Sequence, residues 1–160
     1  MCSGIEHEDQ LLLWKDPEVR LPVRRRDGSL AWLRWGERHG VKGPFVEGPC
    51  ARLESIRAGR WSRFQPVPVR IPVSRYMERD ARGTPYWVKP PSGACLQGLV
   101  ATWQGEQRLY VVTVPAPPEH AHVQPRWPRV LTGSGHHGEE QECAEDGQVH
   151  GTLHDGGSPG

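Results

Sequence analysis

The residues best placed to do chemistry in this 160-residue chain stand at its start, Met1-Cys2-Ser3-Gly4. Methionine before a small residue is commonly trimmed, and its removal would leave a cysteine carrying a free α-amine and a free thiol on one carbon. Such a terminus condenses with an aldehyde to an imine, and the thiol then adds to close a five-membered thiazolidine. The α-amine has an ordinary pKa of about 7.7 to 8.0, against about 10.4 for lysine, so a useful fraction is nucleophilic at neutral pH. The four cysteines, Cys2, Cys50, Cys95 and Cys143, lack CxxC pairing and metal-ligand spacing. This argues against a disulfide framework or a zinc site. His136, His137, His150 and His154 lie around Cys143 without regular spacing, so no metal and no cofactor is expected.

Charge is divided unevenly. All 20 Lys and Arg, against 13 of the 19 acids, precede residue 132, which leaves a body of +7 and a tail of −6 carrying Glu139, Glu140, Glu142, Glu145, Asp146 and Asp155. Arginine and tryptophan alternate in Arg24-Arg25-Arg26, Trp32-Leu33-Arg34-Trp35 and Arg60-Trp61-Ser62-Arg63. That composition suits a phosphate backbone with stacked bases, and it equally suits a solvated arginine-rich surface over a tryptophan-containing core. No secretory apolar region and no run of membrane-spanning length is present, since Leu11-Leu12-Leu13-Trp14 is flanked by polar residues. A soluble, cytoplasmic, monomeric protein is expected, without membrane contact.

These residues must be positioned by a single domain ending near Leu131, followed by a Gly/His-rich acidic tail over 132–160 that has the composition of a disordered segment. Pro and Gly recur every ten residues or so between short β-branched runs, which predicts an α+β domain dominated by antiparallel strands. Arg24 to Gly36 reads as a hairpin about a two-residue Asp27-Gly28 turn. Val67–Met77, Pro85–Lys89, Ala94–Trp103 and Arg108–Val114 read as strands, with turns at Ser92-Gly93 and Gln104-Gly105. Helix is expected only over Glu6–Trp14 and Leu53–Trp61.

The order of several segments resembles the SOS response-associated peptidase (SRAP) family, whose members capture abasic sites in single-stranded DNA through an N-terminal cysteine. The resemblance spans roughly 1–131. It rests on Met1-Cys2-Ser3-Gly4, on Leu33-Arg34-Trp35-Gly36 at the family's tryptophan-glycine pair, and on Ala51-Arg52-Leu53-Glu54-Ser55 at its N-A-R-x-E-T. Ile71 to Arg79 falls at its P-A-D-G-x-Y-E-W, and Gln97-Gly98-Leu99-Val100 at its A-G-L-W. Val111 to Ala116 matches its I-x-T-x-x-A, and Arg126-Trp127-Pro128 with Val130-Leu131 its H-x-R-M-P-x-x-L.

The resemblance implies that Cys2 is the nucleophile and that Glu78 shuttles a proton and holds the deoxyribose in its open aldehyde form. Read without it, Glu78 is an exposed strand glutamate. The resemblance also puts Arg52 and Arg60 on DNA phosphates and Trp35 beside an exposed nucleotide; Arg52 alone would pass for a surface ion pair. Two DNA-contacting positions depart from the pattern: Cys50 replaces the family asparagine and Gln124 its histidine, and a glutamine cannot act as an acid or base. His122, two residues earlier and on the same face if the stretch is extended, is the substitute catalytic candidate.

The expected function is therefore covalent capture of abasic single-stranded DNA as a thiazolidine in the DNA-damage response, after self-removal of Met1 and with weak lyase activity at most. The alternative is a degenerate relative that holds single-stranded or damaged DNA without a covalent bond.

Overall fold

The computed structural model describes residues 1–132. Twelve strands and one short helix follow in order: β1 (Cys2–His7), β2 (Gln10–Leu13), β3 (Arg20–Arg24), β4 (Leu30–Arg34), β5 (Cys50–Arg52), α1 (Leu53–Arg57), β6 (Val67–Pro72), β7 (Arg75–Arg79), β8 (Pro85–Val88), β9 (Cys95–Trp103), β10 (Glu106–Pro115), β11 (Arg126–Pro128) and β12 (Val130–Leu131). This is the expected α+β architecture, mainly antiparallel β. The tail and its histidines, with Cys143, lie outside the described residues.

One sheet runs β2-β1-β7-β8. A larger sheet is built on the long β9–β10 hairpin, with β11, β12 and β6 antiparallel to it and β5 parallel to β10. The β3–β4 hairpin forms a third ribbon. Because side chains alternate across a strand, β10 feeds two cores. Leu109 and Val111 enter a cluster with Cys2, Ile5, Leu21, Trp35, Ile71 and Trp127. Tyr110 and Val112 turn to the opposite face and pack with Phe45, Ala51, Trp61 and Phe64.

Four local expectations change. Glu6–Trp14 is a hairpin rather than a helix: His7 pairs with Gln10 across a tight Glu8-Asp9 turn in which Glu8 takes a φ of +56°. Ladder pairing of β1 with β2 and β7, on both sides, outweighs the helical propensity of the leucine run. Val67–Met77 is two strands in different sheets, separated at Val73-Ser74, where the Ser74 amide donates to the Glu6 carbonyl at 2.7 Å. The second helix stops at Arg57, with Gly59 following at φ +81°. The β3–β4 loop spans Arg25–Ser29 instead of two residues, closed by Asp27 accepting from the Ser29 amide at 2.9 Å, with Gly28 at φ +90°.

Candidate functional site

The register of β1 on β7 builds the site. Regular pairing continued from Ile5↔Tyr76 and Gly4↔Met77 would set Ser3 opposite Glu78, but the ladder shifts between Gly4 and Cys2, so that Cys2 is the residue opposite Glu78. A bulge of this kind re-aims side chains at the ends of sheets. Gly4 is what lets β1 lie this close: a Cβ there would fall 2.9 Å from Met77 Cε and 3.0 Å from Leu13 Cδ2. Cys2 and Glu78 are both 0% exposed. Glu78 is therefore a buried member of the site, not a surface glutamate.

The terminal ammonium of Met1 sits 2.8 Å from Glu78 Oε1, while Met1 itself is exposed. Oε2 has no hydrogen-bond partner among the described residues. Burial pushes the Glu78 carboxyl from its ordinary 4.5 up to about 7, with the neighbouring ammonium offsetting part of the effect. Burial likewise pushes the Cys2 thiol well up, and the Glu78 charge adds to it. The thiol is thus held neutral beside a carboxyl that changes charge near neutrality.

Cys50 opens β5, and its partner Val111 on β10 belongs to the same core cluster as Cys2. The Cys2 backbone amide points at the Cys50 sulfur, whose pKa is raised to about 12, mainly by burial. Alternation puts Arg52 on the same side of β5 as Cys50, and it is exposed. Beside it, Arg126 makes a two-pronged pair with Glu54, both contacts 2.8 Å, and also donates to the Thr113 carbonyl at 2.8 Å. The Tyr76 hydroxyl, two residues before Glu78, accepts the Trp127 indole N–H at 2.8 Å.

Cys2, Glu78 and Cys50 thus come together, with Arg52 exposed two residues along β5 from Cys50; the remaining candidates stand differently. Trp35 is 1% exposed, its indole N–H donating to the Pro49 carbonyl at 3.1 Å, so its ring is a core group in this conformation rather than a surface aromatic. Its neighbour Gly36 explains the pair, because a Cβ at Gly36 would lie 2.2 Å from the Gly48 carbonyl oxygen. Arg60 is exposed in the turn after α1. Gln124 donates its side-chain amide to the Arg79 carbonyl, one residue beyond Glu78. His122 is not in an extended stretch: Pro118–His120 is a 3₁₀ turn followed by further turn, so strand alternation does not apply to it. His122 is exposed and meets the Tyr86 ring edge-on at 6.4 Å, while His120 stacks flat on Trp127 at 4.3 Å.

No family model matches the chain, and no curated protein matches it. Among the described residues no three His, Cys, Asp or Glu side chains gather to hold a metal, and no helix is long and apolar enough to cross a membrane. Sequence reasoning passed over Arg126 and Tyr76 as site members, although both stand in segments that carry the resemblance. It also had no means of anticipating the Met1 ammonium contact, which depends on the bulge.

Proposed function

We propose that the chain is a SRAP-type abasic-site capture protein. Hydrolysis of the Met1–Cys2 peptide bond adds one water and frees the Cys2 amine. That amine attacks the C1′ aldehyde of a ring-opened abasic deoxyribose, water leaves, and an imine forms. The Cys2 thiol then adds across the imine carbon to close a thiazolidine, its proton passing to the nitrogen. The partner is single-stranded DNA carrying an abasic site, at the nucleoid.

The contact of the terminal ammonium with Glu78 supports this reading best. Cys2 is the cross-strand neighbour of Glu78, so losing one residue leaves the new amine next to the same carboxyl. A carboxyl that titrates near 7 can accept the amine's proton and return it to the departing hydroxyl, and such help is typically worth roughly 10² to 10⁴ in rate. Arg52 at the rim supplies a cation for the flanking phosphate.

The test is a uracil-containing single strand treated with uracil glycosylase, incubated with the protein and resolved on a denaturing gel, with intact mass measured alongside. Loss of Met1 and a heat-stable adduct absent in Cys2→Ala are expected. An adduct of equal yield in Cys2→Ala removes Cys2 as nucleophile. Salt-sensitive binding without any adduct favours the non-covalent relative instead.

A further inference from the structure

The row that joins Cys2 to Glu78 continues one strand further. Glu78 pairs with Tyr86 on β8, and directly opposed residues of antiparallel strands project from the same face. Cys2, Glu78 and Tyr86 therefore stand side by side, the first two buried and Tyr86, on the edge strand, 38% exposed. His122 meets its ring at 88°, and the Gln124 bond to the Arg79 carbonyl ties the chain after His122 to the end of β7.

The support under Tyr86 is rigid. Asp80 closes the β7–β8 turn by accepting from the Arg82 amide at 2.9 Å and the Thr84 amide at 2.8 Å, and Arg79 donates to the Gly83 carbonyl at 2.7 Å. The same hairpin presents Arg79, Arg82 and the adjoining Lys89 as exposed cations, against Asp80 in the turn and the buried Glu78. An exposed aromatic on a fixed cationic hairpin, one strand away from a buried reactive pair, fits a polyanion whose bases are unstacked.

We propose that Tyr86, buttressed by His122, is the stacking platform for the unpaired base next to the captured lesion. This gives His122 a positioning role rather than an acid–base one. The inference rests on the abasic-capture reading, so the probe is chosen to separate the two: an oligonucleotide carrying a tetrahydrofuran abasic analogue, which has no aldehyde, with 2-aminopurine at the neighbouring position. In the parent and in Tyr86→Phe, binding should quench the 2-aminopurine, and more than when it sits six nucleotides away. In Tyr86→Ala and Tyr86→Leu the neighbouring quench should vanish and affinity fall about tenfold, the size of one base–aromatic stack. Leucine restores apolar bulk but no ring, so rescue by leucine would mark Tyr86 as mere packing and overturn the proposal. Undiminished quenching in Tyr86→Ala would overturn it too. A parent that crosslinks the aldehyde strand while ignoring these variants sinks only the platform, whereas a parent that neither crosslinks nor binds the analogue sinks the capture reading.

Discussion

Replacing Glu78 by glutamine puts a neutral amide of the same shape where a buried carboxyl now stands, and the consequence is a change in how stability depends on pH. In the fold this carboxyl holds its proton up to about pH 7, against an ordinary value of 4.5. The folded state therefore binds the proton more tightly than the unfolded chain. That contribution is fully present below pH 4.5 and is lost as pH rises through 7, and a gap this wide is worth roughly 3 kcal/mol. The parent should lose about that much between pH 4.5 and 8, and Glu78→Gln should not. At a urea m-value of about 2 kcal/mol/M, the variant's unfolding midpoint at pH 8 should exceed the parent's by about 1.5 M, with the two converging near pH 4.5. Urea titrations followed by tryptophan fluorescence at four pH values measure it. Glu6, Asp27, Glu54 and Asp80, all held below their ordinary values by hydrogen bonds, act at lower pH and cancel between the two proteins. Parallel pH profiles for parent and variant would refute the argument that Glu78 is buried beside the terminus and titrates near neutrality.

Arg52→Ala and Arg60→Ala should each weaken binding to undamaged single-stranded DNA and flatten the log–log salt dependence by about 0.7 for each phosphate the arginine neutralises; an unchanged slope would place that side chain off the DNA path. Deleting residues 132–160 should tighten the same binding, since the −6 tail competes for the basic body, and equal affinity would show that it does not. Gly36→Ala should lower thermal stability by roughly 2 kcal/mol or more, because its φ of +57° and the 2.2 Å approach to the Gly48 carbonyl leave no room for a Cβ; a melting temperature equal to the parent's would contradict that packing. Gln124→His should speed adduct formation by up to about 10²-fold, and equal single-turnover rates would mean that no acid–base chemistry passes through this position.

Most of the sheet was legible because β9 and β10 are long and apolar, β10 is β-branched over Val111 to Val114, and Gln104-Gly105 separates them, so that local preference and tertiary pairing agree. The β1–β2 hairpin was not, since a short leucine run between polar residues fits a helix turn as well as a strand, and only pairing with β7 decides it. The fate of Trp35 was hidden for a related reason. A tryptophan beside arginine reads as a nucleic-acid contact, yet the indole N–H finds a backbone acceptor inside the core at Pro49. The condition attached to His122, an extended stretch running to Gln124, is not met because Pro118 opens a 3₁₀ turn.

What composition cannot express is the one-residue shift in β1. Without it, Cys2 would face Arg79 across the ladder and the carboxylate would face Ser3; with it, the buried thiol and carboxyl share one row, and the ammonium of the exposed Met1 reaches the carboxyl. The same shift explains why the departures at Cys50 and Gln124 leave the arrangement standing. Cys50 acts on the row from β5, where the neighbouring Cys2 amide offsets part of the burial that raises its thiol, and Gln124 is bonded to backbone at Arg79 rather than to the carboxyl. Neither holds Cys2 opposite Glu78. In the proposed capture their substitutions would bear on the speed of proton transfer and on the surroundings of the thiol; ring closure would be intramolecular because amine and thiol both stand on Cys2, and what β1 and β7 add is the Glu78 carboxyl opposite it.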